Sequence, residues 1–386
     1  MSNAAANCGR VGPPVAGPTR KPLITANMVT FARLVPMPLV AWFAFRGDLW
    51  IAVVLGTLIG CTDFIDGYLA RKHGPTVLGG LMDLIADKVF IAFAYLPFVG
   101  NGFFPAWAVG AMFVRELLVT ALRTTYERRD LRMKTSYLGK IKTWTQMQGI
   151  GMTMLFVLLE RDGHRDVMLG LLIAAMIAPL IAFAALWAVR RRVWKGALVM
   201  SALQAPLLWL HLHGDLQLTV EVIMYAVVAA TWISGIDYLV VGVRQLRGKA
   251  PLDAADWVRL LGALALPTLL VAVLVATPAS PWPIMFILAL ELAAGGLDNL
   301  LAHHRRQSGA ASWGLRLAAT CAGLAAALLL TDRAGDAAVA AAVASALAIC
   351  TVGVAWEFWR GRDVYLDPTR RDKRAARADA DADAAA

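Results

Sequence analysis

Long apolar runs separated by short polar stretches dominate the chain. They lie near 28–46, 49–70, 81–98, 103–123, 144–160, 166–190, 196–212, 218–243, 257–276, 281–302, 313–331 and 337–358. Most hold about 20 residues, the length at which a helix rising 1.5 Å per residue crosses a hydrocarbon core roughly 30 Å thick. The pattern predicts an all-α polytopic membrane protein with about twelve transmembrane helices.

The polar stretches alternate in charge. Basic residues follow every second run, at Arg71-Lys72, from Arg123 to Lys142, at Arg190 to Arg192, from Arg244 to Lys249, from His303 to Arg306 and from Arg360 to Arg362. The intervening loops, near Asp48, Asn101, Asp162, Asp215, Ser280 and Asp332, hold few basic residues. Cytoplasmic loops are the basic ones, so both termini are expected in the cytoplasm. Residues 1–22 read as a disordered cytoplasmic leader, and 363–386 as a disordered tail.

Composition strengthens this picture. The chain is 59% hydrophobic and 17% charged, against roughly 45–50% and 25% in soluble domains. The net charge of +10 sits mostly between apolar runs, where it orients helices, so nucleic acid is not an expected partner. Cys8, Cys61, Cys321 and Cys350 lack any pair spacing and suggest neither disulfides nor zinc.

Four aspartates break the apolar pattern. Asp63 and Asp66 stand three apart at the end of the second run, and Asp83 and Asp87 stand four apart at the start of the third, so each pair shares one helical face. The link from Lys72 to Gly80 contains Gly74, Pro75, Gly79 and Gly80, which allows a hairpin that brings both faces together. Four carboxylates at one place repel unless cations neutralise them, and hard oxygen ligands suit two divalent ions, Mg²⁺ or Mn²⁺. Such a pair of ions can clamp a diphosphate during an in-line displacement.

The string Asp63-x2-Asp66-Gly67-x2-Ala70-Arg71, then Gly79-x3-Asp83-x3-Asp87, resembles the signature of the CDP-alcohol phosphotransferase family. One departure is visible: seven residues separate Arg71 from Gly79, where the family usually has eight. The resemblance implies that Asp63, Asp66, Asp83 and Asp87 bind the metals and that Asp87 also takes the proton from the acceptor hydroxyl. It further implies that Asp66, Gly67, Ala70, Arg71 and Gly79 contact the CDP-linked lipid, with small residues admitting the nucleotide and Arg71 offsetting phosphate charge.

The likeness extends over about residues 22–247. Asn27-x2-Thr30-x2-Arg33, Arg115-Glu116 and Gly139-Lys140-Ile141-Lys142-Thr143 with Gln146 are similar to bacterial phosphatidylglycerophosphate synthases. The implied reaction joins CDP-diacylglycerol and glycerol 3-phosphate and releases CMP. Arg115, Lys140 and Lys142 could then receive the acceptor phosphate. Lys140 and Lys142 also fit the bland role of positive-inside anchors. Inositol 1-phosphate is anionic too, so phosphatidylinositol-phosphate synthesis is the alternative within the family. The resemblance also implies a homodimer in a bacterial inner membrane with its site at the cytoplasmic face. Ser234-Gly235-Ile236-Asp237-Tyr238 looks like the end of the sixth core helix, which would make 166–212 an inserted hairpin of a domain spanning 23–249; the other choice for the sixth helix is 166–190.

Residues 250–362 read as a further four-helix membrane region with a faint echo of the first half. Trp257-Val258-Arg259-Leu260 parallels Phe31-Ala32-Arg33-Leu34, and Asp298 falls at the counterpart of Asp66. Gly295, Ala318 and Ala322 stand where Asp63, Asp83 and Asp87 would be, so no chemistry is expected there. About twelve helices with a partial repeat is also a secondary-transporter pattern, but a transporter would place its charges near the midplane of both halves. His211 and His213 read as polar surface at an external loop rather than a metal site.

Overall fold

The computed structural model describes residues 26–73, 77–129, 131, 137–190, 195–246, 251–304 and 310–365; in stretches such as 63–73 and 137–141 it describes the backbone alone. The leader at 1–22 and the tail beyond residue 365 lie outside the described residues. Among those described, helices account for nearly everything: α1 (Ala26–Leu34), α2 (Met37–Arg46), α3 (Leu49–His73), α4 (Val77–Gly100), α5 (Ala106–Glu127), α6 (Tyr137–Arg161), α7 (Arg165–Arg190), α8 (Lys195–His213), α9 (Leu216–Leu246), α10 (Ala254–Ala276), α11 (Pro281–His303), α12 (Ala310–Leu330) and α13 (Asp336–Tyr365).

Each apolar run coincides with a helix, and the first is divided. Pro36 caps α2, where its missing N–H and its ring stop a continuous helix. Two boundaries differ from the sequence reading. Gly79 and Gly80 belong to the first turn of α4 rather than to the link, and α13 runs on through Tyr365, whose buried ring stacks on Phe358. A bulky apolar partner therefore holds three residues that the sequence assigned to the tail.

Among the described residues, six helices are long and apolar enough to cross a membrane, namely α7 and α9 to α13. The protein is an all-α integral membrane protein. α4 and α5 have comparable lengths but interrupt their apolar sequence with Asp83, Asp87 and Lys88, and with Arg115, Glu116 and Arg123. The charges that interrupt these two apolar helices are the candidate chemistry.

Polar ties mark the end of the bundle opposite that chemistry. Trp50 donates to Asp162 at 2.8 Å, and the Asn101 amide donates to the Ala44 carbonyl at 3.1 Å. His211, expected at the surface, is buried beside Phe156, and its Nε2 lies 3.1 Å from the Arg165 carbonyl. It fastens α8 to the start of α7 instead of facing water.

α9, rather than α7, packs along both α5 and α6, while α7 and α8 pair chiefly with each other. The close approach depends on glycine: a side chain at Gly242 would overlap the Tyr126 ring, and one at Gly149 would overlap Val227. The later helices share the same core. α10 lies on α5, and α11 lies on α4 and α5, with Phe93 edge-on to Phe286 at 5.4 Å and Trp282 against Trp42 at 5.9 Å.

Candidate active site

α4 places Asp83 and Asp87 one turn apart on the face turned toward α1. From α1 the buried Arg33 donates to Asp83 Oδ1 at 2.9 Å and lies 3.7 Å from Asp87 Oδ1. Both carboxylates keep access to solvent, with side chains 52% and 38% exposed.

The next helix carries a buried charge pair. Arg115 and Glu116 are 4% and 5% exposed, so each needs a partner. Glu116 accepts from Lys142 at 2.7 Å, from Arg115 at 3.2 Å and from the Gln146 amide at 3.2 Å. Arg115 also donates to Ser234 Oγ at 2.6 Å, while Gln146 donates to Thr231 at 3.3 Å. Helices α5, α6 and α9 thereby meet around one carboxylate. Gly235 permits this, since a Cβ there would stand 3.1 Å from Arg115 Nε.

Arg33, Asp83, Asp87, Arg115, Glu116 and Lys142 all line one cavity of about 1240 Å³. Its described wall includes five basic residues, Arg33, Lys88, Arg115, Arg123 and Lys142, and three acidic ones, Asp83, Asp87 and Glu116. Lys88 donates to Thr120, and Arg123 donates to the Tyr238 hydroxyl at 3.3 Å. The cavity can hold an anionic ligand against its basic side while its half-exposed carboxylates face the same space.

The donor set suits a hard divalent ion: two carboxylates on one face, open to the cavity. Among the described residues no group of three or more metal-binding side chains forms. The side chains of Asp63, Asp66, Gly67, Ala70, Arg71 and Lys140 lie outside the described residues; the backbone puts the first five on the last turns of α3 and Lys140 in the first turn of α6.

A family model described as CDP-alcohol phosphatidyltransferase matches residues 23–233, more than half of the chain. The chain belongs to the CDP-alcohol phosphatidyltransferase family. It is similar to a probable phosphatidylglycerophosphate synthase of Mycobacterium tuberculosis, 40% identical over 140 residues that make up 34% of this chain and 65% of the relative. A CDP-diacylglycerol–glycerol-3-phosphate 3-phosphatidyltransferase of Bacillus subtilis is 35% identical over 103 residues, 26% of this chain and 53% of that protein. The enzyme of the same name from Cereibacter sphaeroides is 33% identical over 142 residues, 35% of this chain and 64% of that protein. The chain spans less than two thirds of the length of these relatives. No solved structure matches it significantly.

Within this family member, the structure gathers Asp83, Asp87, Arg115 and Lys142 around one space. Sequence reasoning passed over Lys88, Arg123 and Tyr238 as wall residues and gave Arg33 no role. Lys88 had a signal, because a lysine directly after Asp87 interrupts an apolar run. Arg123 reads as the start of a basic loop until the structure lays it 5.7 Å from the Tyr238 ring.

Proposed function

We propose that the protein transfers the phosphatidyl group of CDP-diacylglycerol to glycerol 3-phosphate and releases CMP. One observation supports this most: the Asp83 and Asp87 pair shares a single large cavity with Arg115 and Lys142, which come from two other helices. A carboxylate pair alone would serve any acceptor alcohol, but buried cations on the same wall favour an acceptor that is itself a phosphate. The names of the relatives point to the same acceptor. Family membership also removes the support for a transporter.

In this reading Asp63, Asp66, Asp83 and Asp87 hold two divalent cations, which when bound neutralise and orient the diphosphate of the lipid donor. Asp87 accepts the proton of the acceptor hydroxyl. The freed oxygen bonds to the lipid-bearing phosphorus, the bond from that phosphorus to the CMP oxygen breaks, and CMP leaves with the electron pair. Arg115 and Lys142, joined by Lys140, hold the acceptor phosphate. Gly67, Ala70, Arg71 and Gly79 receive the cytidine nucleotide. Helix α9 serves as the sixth core helix, and α7 with α8 is an inserted hairpin.

The remaining proposals concern placement. All twelve apolar segments span the inner membrane, with the termini and the aspartates on the cytoplasmic side, because the basic loops follow the even-numbered spans. Residues 250–362 form a degenerate partial repeat without chemistry of their own. A homodimer belongs to the same reading, and cross-linking in native membranes tests it. The deciding experiment gives purified protein CDP-diacylglycerol with glycerol 3-phosphate, inositol 1-phosphate, glycerol or serine. CMP release and a phosphatidylglycerophosphate product are expected with the first acceptor alone; equal turnover with an uncharged alcohol would refute the assignment.

A further inference from the structure

Arg33 occupies an unusual position for a buried cation. It is 4% exposed, on α1, and its guanidinium is shared between Asp83 at 2.9 Å and Asp87 at 3.7 Å. Those are two of the carboxylates assigned above to divalent cations. A carboxylate oxygen that accepts from a guanidinium presents that lone pair less freely to a metal, and a guanidinium and a divalent ion within a few ångströms repel each other in a partly buried site. The two kinds of cation therefore compete for Asp83 and Asp87.

The other half of the chain contains another buried arginine–aspartate pair, formed with the counterpart of Asp66 rather than with those of Asp83 and Asp87. Arg259 lies in the segment that echoes the one around Arg33, and it holds Asp298 by two contacts of 2.8 and 3.2 Å. The remaining carboxylate positions there are Gly295, Ala318 and Ala322. A Cβ at Gly295 would stand 3.0 Å from Thr120, so that space is already filled. Arg259 and Asp298 are sealed, at 2% and 6% exposure, whereas Asp83 and Asp87 open onto the cavity. One arginine is thus a permanent counter-ion; the other pairs with carboxylates that an arriving ion can reach.

We propose that Arg33 is the exchangeable counter-ion of the metal-free centre: it holds Asp83 and Asp87 together until a divalent cation displaces its guanidinium from them, and so it sets the affinity for that cation. The inference rests on the metal-binding role of these aspartates proposed above. Its sign is distinctive. An arginine that merely shaped the site would, on removal, weaken metal binding, whereas removal of a competing cation strengthens it.

The test uses Mn²⁺ alone, without substrate, followed by the loss of free-ion paramagnetic resonance as the full-length protein is titrated in detergent. Arg33→Gln is expected to bind Mn²⁺ roughly tenfold more tightly than the unaltered chain, since a nearby positive charge has gone. Without metal the variant should melt at a lower temperature, because two carboxylates one turn apart lose their counter-ion, and Mn²⁺ should close most of that gap. If the variant unfolds when metal-free, purification with Mn²⁺ throughout should recover it. Unchanged or weaker Mn²⁺ binding in the folded variant, or a variant that stays unfolded even with Mn²⁺, overturns the proposal. Failure of the unaltered protein to bind Mn²⁺ overturns the metal assignment itself, which is a separate result.

Discussion

Glu116 accepts from Lys142 at 2.7 Å, so a cation from α6 is fixed to a carboxylate on α5 before any ligand arrives. The same carboxylate lies 3.2 Å from Arg115. Pre-set cations lose little freedom when an acceptor phosphate binds, which is the physical advantage of holding them this way. Arg115→Ala should therefore lower kcat/KM for glycerol 3-phosphate by about 10- to 100-fold, the range set by one or two charge-assisted hydrogen bonds. The KM for CDP-diacylglycerol should change far less. Gly235→Ala, which crowds Arg115 Nε, should shift the same constant in the same direction but less steeply. Steady-state kinetics with each substrate varied in turn checks both; a loss confined to the lipid substrate would place Arg115 elsewhere in the mechanism.

Asp87 is expected to be indispensable in a way that its exposure makes easy to test. Its side chain is 38% exposed, and the buried Arg33 beside it keeps the nearer Asp83 carboxylate at 2.9 Å, so Asp87→Asn removes charge without stranding that cation. The protein should stay folded while CMP release falls by about 10²- to 10⁴-fold, the usual contribution of a general base, and further if metal is lost as well. Chelation of divalent ions should abolish release in the unaltered protein and be reversed by Mg²⁺ or Mn²⁺. Near-normal turnover by the asparagine variant would mean that another group takes the proton.

The helices were legible from the sequence because a segment that crosses lipid must satisfy its backbone internally, so length and apolarity almost determine it. The aspartate motif was legible because charge at the end of a membrane helix is expensive. What the sequence hid was pairing. Arg115 and Lys142 look like two free cations in one dimension, and only the packing of α5 against α6 reveals that Glu116 lies between them. Arg128 and Arg129 look like part of a basic loop, yet they reach across to Asp253 and Asp256 at the start of α10. Burial of Glu291 beside Arg316, with Glu357 near the same arginine, left no periodic trace at all in its apolar run.

The junction between α5 and α10 should respond to acid. Asp253 caps α10 through a capping box with Asp256, and it receives Arg128 at 2.7 Å. That guanidinium holds the Asp253 carboxyl well below the usual carboxylate range. A carboxyl whose pKa is depressed on folding stabilises the fold above its unfolded value and loses that contribution as pH falls through the folded one. The contribution is thus full at neutral pH and declines below about pH 4. Asp253→Asn should flatten this part of the stability profile while keeping a side-chain cap; Asp253→Ala should in addition cost about 1 kcal/mol for the lost cap. Thermal unfolding in detergent across that pH range reads both, and an asparagine variant with the unaltered acid profile would show that Arg128 is not the relevant partner.

The last prediction separates chemistry from support. Asp298 is sealed with Arg259 between α10 and α11, and those two helices rest on α4 and α5, the helices that carry Asp87 and Arg115. Asp298→Asn takes from a buried guanidinium its nearest carboxylate and leaves it only the more distant Asp256, at 3.7 Å, among its described ion-pair partners, a defect worth up to about 3–5 kcal/mol. The variant should therefore insert poorly or melt early. Its turnover per correctly folded molecule should nonetheless match the unaltered enzyme, because Asp298 does not line the large cavity. Arg259→Met together with Asp298→Leu, which removes both charges, should recover most of the stability, since replacing a buried ion pair by apolar groups is often close to neutral. A chain ending near Lys249 lacks every one of these contacts and exposes the face of Phe93 that meets Phe286, so it should be much less stable than either variant. The measurement is CMP release normalised to folded protein, with folding assayed separately by size exclusion and thermal melting. If Asp298→Asn reduced normalised turnover as severely as Asp87→Asn, the second half would belong to the reacting site, and the division into a catalytic core and a supporting region would fail.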